Sequence, residues 1–173
     1  MKHFPGKLAL QQRVLPAYRA PFFDLLASAC DGGMSLFTGS PRPVEGITTT
    51  DKLQVADYTL GKNVHLLGGS FFLCYQQGLL DWLEEQDPDA LIVEANPRYL
   101  STPAAIKWMH ERDRPVIGWG LGSPPLSGPL AGFRQMRRLS FLREFDAMIA
   151  YSQRGAQEYA AMGMPEERVF WAP

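Results

Sequence analysis

Cysteine is scarce in this sequence of 173 residues: only Cys30 and Cys74 are present, with neither CxxC spacing nor a disulfide framework. Both sit beside apolar residues and read as buried thiols. Histidine is equally sparse, and His3, His65 and His110 show no HxxH or HExxH spacing, so no metal site is expected. His110 falls on the polar side of a helix and reads as solvated. Long apolar runs are missing too. Those at 70–74 and 90–93 fall far short of the roughly 20 residues a membrane-spanning helix needs. Charge of one sign does not dominate: 17 Lys and Arg face 18 Asp and Glu, a net charge of −1 that gives no overall pull toward nucleic acid. Near the start, Gln11, Gln12 and Arg13 stand where a signal peptide needs its apolar core, which points to a cytoplasmic protein.

Familiar motifs are also lacking. The cluster Gly118-Trp119-Gly120-Leu121-Gly122-Ser123-Pro124-Pro125 fails GxGxxG in both registers, placing Ser123 or Pro125 at the third glycine. No P-loop, GxSxG or Cys/His nucleophile pattern occurs. What remains is a strand-end loop, Trp119, Gly120, Gly122 and Ser123, whose backbone can approach a ligand closely or simply make a proline-stiffened turn.

What is present is an alternation of strands and helices. Residues 8–14 read as a strand. Pro21 then opens a helix whose apolar positions Phe22, Leu25, Leu26, Ala29 and Cys30 share one face. A second strand is read over 34–38, an irregular loop over 41–62 and a third strand over 64–67 ended by Gly68-Gly69. Helices follow at 78–86, at 102–111 with Thr102 as N-cap, at 130–143 and from Ser152 to Met162-Gly163. Strands at 89–95, 115–119, 146–150 and 168–171 lie between and after them. This order predicts a Rossmann-like α/β fold, an open and mostly parallel sheet with helices on both faces, and ligands outside the carboxyl ends of its strands.

Several polar residues fall at those ends. Glu94 closes an apolar strand and can accept hydrogen bonds from sugar hydroxyls or act as a base; the plainer alternative is an ion pair with Arg98 or another arginine. Asn96 follows it. Tyr18 and Arg19 suit an acceptor's phosphate or hydroxyl groups, unless Arg19 merely pairs with Asp24. Ser152 and Arg154 stand at a strand-to-helix junction, where Ser152 is first an N-cap. From Arg98 to Arg154 nine Lys and Arg face four Asp and Glu. Within that stretch Arg134, Arg137 and Arg138 share a helix face, either solvated or touching anionic lipid at the inner face of a membrane or a phosphorylated acceptor.

The strings QQRVLPAYRAPFFDLLA, DALIVEANPRYLSTPAAIKWMHERDRPVIGWGLG and FDAMIAYSQRGAQEYAAMGMPEERVFWAP together resemble the amino-terminal domain of GT-B glycosyltransferases of the family 4, or group 1, type. The resemblance covers nearly the whole chain in element order, least in 41–62. It implies an acceptor-side lobe for a saccharide or lipid-linked acceptor. A carboxyl-terminal lobe, absent here, would bind the nucleotide-sugar donor, and no cofactor is expected in this part. Pro173 then reads as a cut where the family's chain crosses over. Many family 4 relatives carry a histidine after the strand matching 115–119. This sequence has Gly120-Leu121-Gly122 there, so Glu94 is the remaining candidate for a catalytic group. The alternatives are a lobe of a nucleotide-sugar epimerase and a stand-alone flavodoxin-like binding domain.

Overall fold

A computed structural model describes residues 3–68, 72–124 and 126–172. Expectations that touch Gly69, Pro125 or Pro173 lie outside them. In chain order the elements are β1 (Leu8–Gln11), α1 (Ala20–Ala27), β2 (Met34–Thr38), β3 (Asp57–Leu60), β4 (Lys62–Leu66), β5 (Leu73–Gln77), α2 (Leu79–Gln86), β6 (Ala90–Glu94), α3 (Thr102–His110), β7 (Val116–Gly120), α4 (Ala131–Leu142), β8 (Ala147–Ala150), α5 (Gln153–Ala161) and β9 (Val169–Trp171).

Seven strands form one parallel sheet in the order β3-β2-β1-β6-β7-β8-β9. The apolar runs read from the sequence become its central strands; every residue of β1 and β2 is buried, because helices cover both faces. Alternate side chains divide between two cores. Leu8, Leu10, Ala90 and Ile92 pack with Phe23 and Ala27 of α1. Ala9, Leu91 and Val93 face Leu83 of α2, Ile106 and Met109 of α3, and Tyr159 of α5. Both cysteines are free and buried, as expected.

Several details differ from the sequence reading. The supposed loop at 41–62 contains β3, a half-exposed edge strand whose mixed residues carry no apolar run to reveal it. The Asp24 carboxylate guides the chain toward it, accepting the amides of Gln54, Val55 and Ala56 at 2.8 to 3.2 Å, and so is not the partner of Arg19. The strand read at 64–67 belongs to β4, which pairs antiparallel with the unanticipated β5 in a separate hairpin. Thr102 lies inside α3 and Ser101 precedes it without capping, because the Ser101 hydroxyl is committed to the backbone of Gln76. Finally, His110 is tied to Asp146 at 3.0 Å.

Candidate functional site

The strand order reverses between β1 and β6, and an open parallel sheet leaves a crevice outside the carboxyl ends at such a point. Gln11, Gln12 and Arg13 leave β1 there and Glu94 ends β6. The Arg13 amide donates to Glu94 Oε2, and the Glu94 amide donates to Gln11 Oε1 at 3.1 Å. Burial pushes the Glu94 carboxyl above its ordinary value; the Arg13 amide and the charges of Arg13 and Arg19 pull only partly against it. The expected Arg98 ion pair is not made: the Arg98 guanidinium lies 5.4 Å from the Phe72 ring centroid.

The β4–β5 hairpin walls one side of this crevice, held by buried amides. Gln76 Nε2 donates to the Gln12 carbonyl at 3.2 Å and to Asn63 Oδ1 at 3.0 Å, while Asn63 Nδ2 donates to the Arg13 carbonyl at 2.7 Å. Below it the Arg13 side chain reaches Glu45 at 2.8 Å, and Arg42 grips the same carboxylate through its amide and guanidinium. Burial alone would raise Glu45, but these hydrogen bonds and charges overcome it and hold the carboxyl at about 2.

The other side is aromatic. Trp119, one residue from the end of β7, stacks on Tyr151, just after β8, with ring centroids 5.2 Å apart. The Arg19 guanidinium lies 5.5 Å from the Trp119 ring and 5.0 Å from Tyr151, inside the range of cation–π attraction. It donates to Gln12 Oε1 at 2.7 Å and meets no carboxylate among the described residues. Trp119 Nε1 and Gln12 Nε2 are buried beside it without a hydrogen-bond partner among the described residues. Tyr18 stands largely exposed, 6.0 Å from the same guanidinium.

Arg19, Glu94, Trp119 and Tyr18 are thus brought to one edge, and the remaining predicted residues make contacts within the fold. Asn96 Oδ1 accepts the Arg98 amide at 3.1 Å and shapes the turn after β6. Gly120 ends β7 where an added Cβ would meet the Tyr159 hydroxyl at 2.5 Å. Gly122, at φ +110°, donates to that hydroxyl at 3.1 Å, and Ser123 is buried under Arg138. Ser152 caps α5, accepting the Gly155 amide at 3.1 Å, and Arg154 pairs with Glu158 one turn on. Gln12 and Arg13 were not singled out from the sequence as site residues. The available signal was Gln11-Gln12-Arg13 itself, a polar run directly continuing a buried strand. A cavity of about 420 Å³ at His110, Arg114 and Asp146 lies at the opposite, amino-terminal edge of the sheet and is no part of this site.

No protein-family model and no curated protein matches the chain. Solved structures do. HepE from Anabaena, in complex with UDP and glucose, aligns with 96% of this chain at 12% identity and a TM-score of 0.55. The UDP-GlcNAc 2-epimerase of Neisseria meningitidis, bound to UDP-GlcNAc, aligns with 99% at 15% identity and a TM-score of 0.53. The chain has the fold of one lobe of a GT-B enzyme. It spans 43% and 46% of the lengths of those two proteins. Within this lobe the crevice is an open wall, formed by the carboxyl ends of β1, β6, β7 and β8. No helix among the described residues is long and apolar enough to cross a membrane.

Proposed function

We propose that this chain is the acceptor-side lobe of a glycosyltransferase that moves a sugar from a nucleotide-sugar donor to a saccharide or lipid-linked acceptor. The observation that carries the reading is the placement of Glu94 at the switch point, a set-in carboxyl with a raised pKa facing the same edge as Arg19, Trp119 and Tyr151. Aromatic faces give an acceptor's apolar ring surface a partner, and the guanidinium and carboxyl fix its hydroxyls or an anionic substituent. Glu94 accepts the proton of the acceptor hydroxyl as its oxygen bonds to the anomeric carbon and the nucleotide leaves with the bond electrons. Donor binding is assigned to the part of the enzyme beyond this lobe, as the family resemblance implies.

A second reading, a lobe of a nucleotide-sugar epimerase, draws on the comparable fold match to an enzyme of that kind. The same carboxyl would then exchange a proton with the sugar itself. Product analysis of the whole enzyme separates the two: formation of a new glycoside only when an acceptor sugar is present supports transfer, whereas an isomerised nucleotide sugar formed without acceptor replaces it.

A further inference from the structure

Helix α4 shows solvent an unusual face. Of its residues only Leu142 is buried. Phe133 and Met136 are 54% and 59% exposed, Leu130 just before the helix is 74% exposed, and Leu121 in the preceding loop 82%. Four large apolar side chains in one loop-and-helix segment exceed the scattered exposure usual on a soluble surface. The segment also has only one sign of charge. No carboxylate occurs between Asp113 and Glu144, while Arg134, Arg137, Arg138 and Arg143 fall in or directly after the helix.

The arginines divide by direction. Arg138 turns inward to Ser123 Oγ at 3.2 Å and the Pro124 carbonyl at 2.7 Å. Arg134 folds over the helix start to the Ser127 carbonyl at 2.6 Å, and its charge meets no carboxylate among the described residues. Arg137 is exposed beside Phe133 and Met136. Across the groove, Glu158 of α5 lines the inner side with Ser123 and Gln135, and it is paired with Arg154.

We propose that this outward face of α4, with the loop leading into it, docks on an anionic lipid bilayer. Phe133, Met136, Leu130 and Leu121 enter the boundary between headgroups and acyl chains, and Arg134 and Arg137 meet the lipid phosphates. Arg134 and Arg137 adjoin the exposed Phe133 and Met136 and meet no carboxylate among the described residues, so the face offers apolar surface together with uncompensated positive charge, the combination that seats a helix in an anionic membrane surface. The loop springs from the carboxyl end of β7, the edge that holds Trp119, so docking brings the crevice to the bilayer. This inference stands on a different surface from the sugar-transfer reading and does not depend on it.

The test is sedimentation of the chain with vesicles containing phosphatidylglycerol and with vesicles of phosphatidylcholine alone, at low and high salt. Binding is expected on the anionic vesicles, weaker by about tenfold or more on neutral ones and at high salt. Arg137→Gln should weaken it by about fivefold, and Phe133→Ser with Met136→Ser should remove most of it, with circular dichroism unchanged because these side chains bury little. Failure to bind anionic vesicles overturns the proposal, as does binding that the substitutions leave intact. So does a concentration-dependent dimer that the Phe133 and Met136 substitutions abolish in a chain that ignores vesicles, which would assign the face to a second copy.

Discussion

The backbone amide of Arg13 is held by the side chain of Glu94, joining the carboxyl ends of β1 and β6 where the strand order reverses. One carboxyl therefore does two things: it fixes the chain leaving β1, and it places a buried carboxyl, its pKa raised by burial, beside Arg19 and its aromatic neighbours. Both follow from placing a glutamate at the last residue of a buried parallel strand, where the backbone of the neighbouring strand supplies the donor.

Glu94→Gln keeps an oxygen for the Arg13 amide and removes a charge that burial disfavours. The thermal midpoint is expected to stay within a few degrees or rise. Transfer by the whole enzyme is expected to fall by roughly 10²-fold or more, the scale of a lost general base. A folded variant with unaltered transfer would remove Glu94 from the chemistry.

Glu45 gives a pH signature of known sign. Its folded pKa of about 2 lies below its ordinary value of 4.5, so its contribution is fully present above about pH 4.5 and is lost as pH falls toward 2. Urea unfolding should find Glu45→Gln less stable than the parent by roughly 2 kcal/mol at neutral pH, with the gap closing between pH 4.5 and 2. A gap that persists unchanged at pH 2 contradicts the Arg13–Glu45–Arg42 account.

Gly122 has φ +110°, and a Cβ added there would stand 2.8 Å from Gly155 Cα, at the start of α5. Gly122→Ala should therefore destabilise by roughly 1–3 kcal/mol through backbone strain and this clash. Chemical denaturation reads it directly, and a neutral result would mean that the loop does not pack on α5 in solution.

Ser152 distinguishes a cap from a ligand contact. Ser152→Ala loses the bond to the Gly155 amide and should lower stability by about 1 kcal/mol, with acceptor affinity unchanged. Calorimetry that shows weaker acceptor binding at full stability would restore the residue to the site.

The central architecture was legible because its strands are apolar runs broken by glycine and proline, a local signal strong enough to place β1, β2, β6 and β7. The edge strand β3 and the hairpin escaped because DYTL and LCYQQ owe their placement to distant partners: Asp24 for the first, and the Gln12 and Arg13 carbonyls with the Ser101 hydroxyl for the second. At the site, Glu94 and Arg19 were visible as polar residues at strand ends. Tyr151 gained significance only through its stack on Trp119, a contact between residues more than thirty positions apart. The reverse holds for Gly122, Ser123 and Ser152, whose residue types suggested a ligand loop and whose partners are α4 and α5.

The proposed division of labour, acceptor on this lobe and donor elsewhere, is tested most directly by titrating this chain separately with acceptor saccharides and with UDP-sugars while following the Trp119 indole and Arg19 guanidinium resonances by NMR. The account predicts shifts at both groups with an acceptor of the right class, abolished by Arg19→Ala, and little response to the nucleotide sugar alone. Tight binding of a nucleotide sugar by the chain on its own would contradict it.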